Sequence, residues 1–146
     1  VERHQGTGNV ACGFLKGYGI REGAVALSVA HDSHNIIVVG VSDEEMEFAV
    51  NSLIAQEGGI VLVKEGKVIE SMPMPIAGLM SDQSGEWVDQ KLTDIHEKAY
   101  SELGISGEVE PVMTLCFMSL AVIPEVKLTD MGLFDVTTFS FISPEA

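Results

Sequence analysis

Residues 24–63 read AVALSVA, HDSHN, IIVVGV, SDEEMEFAVNSLIAQEGG and IVLV, and this stretch decides the fold. The first, third and last blocks are short apolar runs rich in β-branched residues, which indicates three buried strands. Ser42 is a candidate N-cap, and Glu45 follows three residues later, as in a capping box. Apolar residues then recur at helical spacing until Gly58 and Gly59 end the helix. The strand, helix and strand from 36 to 63 predict a crossover connection within one sheet.

A hairpin follows directly, because residues 64–67 have the composition of a tight turn and Val68 begins a return strand. A hairpin added to a crossover unit gives a sheet that is expected to be mixed. A second helix is predicted from Ser84 or Gly85 to Gly104, since its apolar residues fall on one face.

Two segments remain after the second helix. Residues 112–123 are apolar and fit either a buried strand or a short helix, and residues 133–142 alternate like a final strand. We therefore predict a single domain over residues 1–146, of the α+β or α/β class, with two main helices on a mixed sheet.

Composition limits the classes of function. The 146 residues are 46% hydrophobic and 21% charged, so the chain is expected to fold. Apolar runs stay well short of the ~20 residues that a membrane span needs, which predicts a soluble, cytoplasmic protein without a membrane partner. The net charge of −14 repels phosphate backbones and argues against a nucleic-acid partner. Cys12 and Cys116 are predicted to be buried thiols in a reducing cytoplasm, and a disulfide is the alternative.

The chain opens with Val1, Glu2, Arg3 and His4, without the basic and apolar regions of a signal peptide. We expect this start to be the interior of a longer protein. Residues 1–20 are then expected to form the junction with a preceding domain.

The densest polar cluster is His31-Asp32-Ser33-His34-Asn35, between two predicted strands. Three interpretations compete for it. It could be a plain loop whose side chains cap backbone groups. It could contribute His31 and His34 to a metal site, although no third ligand is evident. It could be a substrate-facing or catalytic-support loop, because imidazoles transfer protons and a carboxylate can orient one of them.

Other polar and apolar features are open to a structural interpretation. Glu2, Arg3 and His4 could contribute to the same site, or form a solvated or interdomain ion pair. His96 lies on the predicted second helix and is interpreted as a boundary residue rather than a ligand. The proline-bounded apolar stretch 75–82 suggests a loop that packs against another domain.

Five segments carry a resemblance to a known family, in order over nearly the whole chain. They are Val-Glu-Arg-His at 1–4, Thr-Gly-Asn at 7–9, Val-Ala-His-Asp-Ser-His-Asn-Ile at 29–36, Pro-Ile-Ala-Gly-Leu-Met-Ser at 75–81 and Leu-Thr-Asp at 128–130. Together they resemble the carboxy-terminal region of bacterial adenine deaminases of the amidohydrolase superfamily. The eight residues around His31 are the most specific part.

The resemblance implies a larger enzyme, with a (β/α)₈ barrel upstream of this domain. The barrel would hold iron or manganese that activates water, and the enzyme would convert adenine to hypoxanthine and ammonia. The barrel's His-x-His motif and its other metal ligands are absent from this chain, so no metal ligand is transferred to any position here. We therefore expect the isolated chain to be inactive.

Two roles for the domain follow from the resemblance. In the first, the domain completes the active site: His31, Asp32 and His34 are the catalytic candidates, and Ser33, Asn35, Glu2, Arg3 and His4 are the substrate-binding candidates. In the second, the domain is a structural or oligomerisation module without catalytic residues. In both, its partners would be the enzyme's own barrel domain and further copies in a homo-oligomer.

Overall fold

The computed structural model describes residues 1–144. Its main sheet contains β1 (Ala24–Leu27), β2 (Ile37–Gly40), β3 (Gly59–Lys64) and β4 (Lys67–Pro73), in the order β2-β1-β3-β4. The predicted crossover from β2 to β3 is present, because these two strands run in the same direction. However, β1 lies between them and is antiparallel to both. Every pair of neighbouring strands is therefore antiparallel, whereas the sequence led us to expect a mixed sheet.

Helices cover both faces of this sheet. Helix α1 (Asp43–Ala55) begins at Ser42, whose hydroxyl accepts a hydrogen bond from the Glu45 amide at 3.2 Å, as predicted. Its buried residue Leu53 packs on the face of the sheet formed by the even-numbered residues of β1. The α+β architecture with two main helices is therefore confirmed.

The opposite face packs against helix α2 (Gly85–Ser101), which contributes Ile95 and Ala99 to the core. Strand β1 is buried on both faces for this reason, and its sequence is correspondingly apolar throughout. Glu70 of β4 fastens the helix to the sheet, since its carboxylate accepts hydrogen bonds from Lys91 at 2.6 Å and Lys98 at 2.8 Å.

The carboxy-terminal part differs most from expectation. Helix α3 (Met113–Cys116) is short, and β5 (Val126–Thr129), β6 (Gly132–Asp135) and β7 (Ser140–Ile142) form a separate antiparallel sheet. The prediction of one strand over 133–142 was wrong. The Asp135 carboxylate accepts hydrogen bonds from the amides of Thr137 and Thr138, which stabilise a turn between β6 and β7.

The two cysteines lie in different environments. Cys116 is buried in the core as predicted, but Cys12 is exposed, and both are free thiols. The prediction was wrong for Cys12 because residues 4–10 and 12–17 of the amino-terminal segment lie on the surface. No helix over residues 1–144 combines the length and apolar character that crossing a membrane requires.

Candidate functional site

The amino-terminal segment lies beside the polar loop that follows β1. The α-amino group of Val1 donates to the Ile36 carbonyl at 2.7 Å, and the Ile36 amide donates back to the Val1 carbonyl at 3.0 Å. This reciprocal pair places residues 1–4 along residues 33–36. The two polar clusters that the sequence suggested are therefore neighbours in space.

Arg3 connects three separate segments at this point. Its amide donates to the Asn35 side chain at 3.3 Å, and its guanidinium donates to the carbonyls of His34 at 2.5 Å and Ala77 at 2.9 Å. Gly78 has a φ of +73°, and a Cβ there would lie 2.9 Å from the guanidinium. The Pro75–Ser81 loop can approach Arg3 only because this position is glycine.

Glu2 and His4 organise the backbone around Arg3. The Glu2 carboxylate accepts hydrogen bonds from the amides of His4, Gln5 and Thr7 and thereby closes a turn. Burial alone would raise the pKa of Glu2, but these hydrogen bonds lower it from 4.5 to about 2. The His4 Nε2 atom lies 2.8 Å from the Ser33 carbonyl oxygen, so this imidazole contacts the loop through its backbone.

Residues 31–35 are held mainly through main-chain atoms. The His31 carbonyl accepts from the Ser119 hydroxyl at 3.0 Å, and the Ser33 and His34 carbonyls are the contacts of His4 and Arg3. Two of the five side chains take part in this framework. The Ser33 hydroxyl accepts from the Asn35 amide at 3.3 Å, and the Asn35 side chain accepts from the amide of Arg3.

The remaining side chains, those of His31, Asp32 and His34, make no hydrogen bond within residues 1–144. His31 and Asp32 approach to 4.0 Å between Nδ1 and Oδ1, which is too long for the carboxylate to orient the imidazole. Asp32 is 90% exposed, whereas the His34 Nδ1 atom is buried without a hydrogen-bond partner. The His31 ring packs against Phe117 and edge-on against His34, at 4.9 Å and 6.0 Å between ring centroids.

His34 is also the residue with unusual backbone geometry. Its φ of +52° lies in the left-handed region, where a residue other than glycine has a conformational cost of about 1–2 kcal/mol. Arg3 binds the carbonyl of this residue and so stabilises the conformation. A plain turn at this position would be more stable with glycine or asparagine.

Within residues 1–144, no group of three His, Cys, Asp or Glu side chains is placed to hold a metal ion. The pair of His31 and His34 therefore lacks a third ligand among these residues. His96 lies elsewhere, on α2, where its Nε2 atom is 2.6 Å from Glu110 Oε1.

Sequence reasoning missed the part played by Ser28. Its hydroxyl donates to the Gly78 carbonyl at 2.5 Å and accepts from the Gly59 amide at 2.8 Å, and so it ties the Pro75–Ser81 loop to the start of β3. Ser28 is fully buried. The available signal was a single hydroxyl within the otherwise apolar run 24–30.

Apolar surface surrounds the site. Ile76 and Met80 of the Pro75–Ser81 loop are 46% and 58% exposed, as expected for a surface that another domain covers. A cavity of 670 Å³ opens on the other side of Val1, between the edge of the main sheet and the carboxy-terminal sheet. Ser33 and Asn35 lie in its wall.

Comparison with known proteins identifies the family of the chain. The family model described as the adenine deaminase C-terminal domain matches residues 1–140. The chain is 75% identical over 146 residues to "Adenine deaminase 2" of Desulfotalea psychrophila, covering all of this chain and 25% of that protein. It is 53% identical over 141 residues to the adenine deaminase of Nitratidesulfovibrio vulgaris, covering 97% of this chain and 24% of the relative.

The same relation holds for a more distant relative. The adenine deaminase of Bacillus subtilis is 48% identical over 143 residues, which cover 98% of this chain and 25% of that protein. The chain thus spans about a quarter of the length of the curated relatives that it matches. With a family model matched over residues 1–140, the chain belongs to the adenine deaminase C-terminal domain family.

Proposed function

We propose that this chain is the carboxy-terminal part of a full-length adenine deaminase, and that residues 31–35 contact the purine or the attacking water. The intact enzyme would hydrolyse adenine to hypoxanthine and ammonia in the cytoplasm. Two observations support this proposal: the relatives named adenine deaminase, and the convergence of segments 1–4, 29–36 and 75–81 at Arg3.

The iron or manganese of the intact enzyme belongs to the upstream barrel in this proposal. Such a metal supplies a hydroxide nucleophile at neutral pH. The residues of this chain do not fit a metal site, since residues 1–144 contain no suitable group of ligands. Their proposed contribution is to bind and orient the substrate.

One observation carries the proposal for the loop. Its backbone is fixed by Arg3, His4 and Ser119, while three of its side chains are left without hydrogen bonds among residues 1–144. A loop that served only as a connection would use such side chains to cap its own backbone. The fixed backbone and free side chains are instead the arrangement of a preorganised binding loop.

The free side chains suit a purine chemically. A neutral imidazole offers one donor and one acceptor nitrogen, which matches the alternating acceptors and donors on the edge of adenine. An ionised Asp32 carboxylate only accepts, so its partner would be an amino group, a protonated ring nitrogen or the attacking water. Of these side chains, Asp32 would present its exposed carboxylate.

The test uses the full-length enzyme with the substitutions Asp32→Ala and His34→Ala. Loss of a hydrogen bond to a charged or developing-charge group costs about 1.5–3 kcal/mol, so kcat/KM for adenine should fall roughly ten- to a hundred-fold. Metal content and the unfolding midpoint should stay unchanged. His96→Ala is the matched control, because His96 lies on α2 in contact with Glu110. Wild-type kinetics in both loop variants would reject a role in catalysis.

A second function, a structural or oligomerisation module, is favoured by a different observation. Large apolar side chains are exposed on and near the carboxy-terminal sheet, among them Phe14, Met131, Phe139 and Phe141. Surfaces of this kind mark protein interfaces. In this alternative, the full-length loop variants keep their activity, while Met131→Glu and Phe139→Glu change the oligomeric state measured by light scattering.

The isolated chain should show no deaminase activity, with or without added iron or manganese. The reason is the absence of a metal-ligand set in residues 1–144. Hypoxanthine formation is measured by absorbance across successive purification steps. Turnover that tracks the protein through every step would contradict the assignment of the metal to the upstream domain.

A further inference from the structure

The pairing of Val1 with Ile36 sets a direction for the polypeptide that precedes Val1 in a longer protein. These two residues exchange both main-chain hydrogen bonds, at 2.7 and 3.0 Å, which defines a hydrogen-bonded pair of antiparallel strands. Partners in such a pair advance in opposite directions. An extended segment upstream of Val1 would therefore run opposite Ile37, Val38 and Val39, along β2.

The outer edge of β2 is free to accept such a segment. The Ser28 amide, just after β1, donates to the Gly59 carbonyl of β3 at 3.1 Å. The even-numbered residues of β1 therefore direct their main-chain groups toward β3, and its odd-numbered residues direct theirs toward β2. In β2, the odd-numbered residues consequently face β1, and Val38 and Gly40 direct their main-chain groups outward. Within residues 1–144, these outward groups have no main-chain partner.

The space beside this edge is an apolar cavity of 670 Å³. Val1, Val38 and Val50 line it on the side of the main sheet, and Leu128 and Phe134 line it across from them. Val1, Ile36 and Val38 also belong to one apolar cluster, as expected when Val1 continues the sheet beside β2. Burial lowers the pKa of the Val1 α-amino group, whereas a peptide N–H at this position would carry no charge.

We propose that the residues immediately preceding Val1 in the full-length deaminase form a fifth strand on the free edge of β2 and fill this cavity. The proposal rests on the proposed function only in taking the chain as the carboxy-terminal part of a longer protein. The relatives support that length, since the chain spans 25% of the most similar one given above. Four residues would pair with Ile37–Gly40, and strand addition of this kind gains main-chain hydrogen bonds and apolar contacts together.

The register makes the proposal specific. Hydrogen-bonded pairs recur at every second residue, so the second residue before Val1 exchanges both bonds with Val38. That position requires an amide N–H and excludes proline. The first residue before Val1 directs its N–H away from β2, and proline is compatible with the ladder there. Side chains on the Val1 face of the new strand are expected to be apolar.

The experiment measures residue-resolved amide hydrogen exchange in the full-length protein, with and without proline at these two positions. In the unmodified protein, the Val38 and Gly40 amides should be protected. Proline at the second residue before Val1 should speed their exchange by about tenfold or more, and proline at the first residue should not. The Val25 amide in β1 reports that the variants are folded.

Two outcomes would overturn the proposal. The Val38 and Gly40 amides could exchange as fast as the amide of exposed Gly107 in the unmodified full-length protein. Alternatively, their protection could depend on protein concentration and stay unchanged in both proline variants. That result would identify a second copy of the protein as the partner on the edge of β2. Deaminase activity is measured on the same samples: an inactive protein with protected amides would reject the proposed function and leave the strand in place.

Discussion

Replacing Arg3 by lysine should loosen the contact between the amino-terminal segment, the His31–Asn35 loop and the Pro75–Ser81 loop. The guanidinium donates to the His34 and Ala77 carbonyls through two different nitrogens. Lysine carries one ammonium group on a flexible stem and lacks the fork that spans the two carbonyls. Arg3→Lys therefore loses at least one hydrogen bond from a charged donor.

Such a hydrogen bond contributes about 1.5–3 kcal/mol, and the Ala77 contact is exposed, so the lower end applies. We expect the free energy of unfolding to fall by about 1.5 kcal/mol. In a chain of this size, each kcal/mol corresponds to roughly 2–4 °C in Tm. Amides of the two loops should exchange about tenfold faster, the factor that corresponds to 1.4 kcal/mol.

Urea unfolding and amide exchange together test this expectation. Arg21→Lys is the matched control, because the Arg21 side chain packs on Gly104 and its guanidinium makes no hydrogen bond within residues 1–144. Unfolding of Arg3→Lys and Arg21→Lys at the same urea concentration, with loop exchange unchanged in both, would show that Arg3 does not hold the two loops. Global destabilisation without faster loop exchange would also contradict it, because the loss would then lie outside this contact.

Two further predictions concern ionisable groups. Burial alone would raise the pKa of Glu70, but hydrogen bonds from Lys91 and Lys98 lower it from 4.5 to about 2. Its contribution to stability is therefore present above about pH 4.5 and is lost as the pH falls toward about 2, so urea unfolding of Glu70→Gln should show a weaker acid dependence. Cys12 should react with a thiol reagent in the native chain, whereas Cys116, whose pKa burial raises from 9.0 to about 11, should react only on unfolding, and two fast-reacting thiols would contradict this.

The elements of the main sheet were predictable because local signals mark them. The Ser42 cap, the glycines after α1 and the apolar runs each act within a few residues of the element that they define. The order of the strands in the sheet was harder to predict from the sequence. The position of β1 between β2 and β3 depends on which strand buries its edges best, and periodicity contains no such information. The turn at Asp135 was overlooked because the alternation around it resembles one strand.

The candidate site divides in the same way. The cluster His31–Asn35 was visible as a dense polar group between two apolar runs, and the structure places it at the end of β1. The contacts that hold it were not visible, because Arg3 and Ala77 are 74 residues apart in sequence. Only the family resemblance connects these segments at the level of sequence, because all of them occur in it.

The pair of Val1 and Ile36 makes the two proposals physically dependent but experimentally separable. Ile36 is the residue at which the His31–Asn35 loop ends and the outward edge of β2 begins, so an added strand would extend the anchor of the loop. Weakening that strand should therefore displace the side chains of the His31–Asn35 loop and raise KM for adenine in the full-length enzyme. The side-chain substitutions Asp32→Ala and His34→Ala leave the strand pairing intact, because neither side chain contacts β2 through a hydrogen bond. A proline variant that loses Val38 protection and keeps wild-type KM would show that the contacts of Arg3, His4 and Ser119 suffice to position the loop.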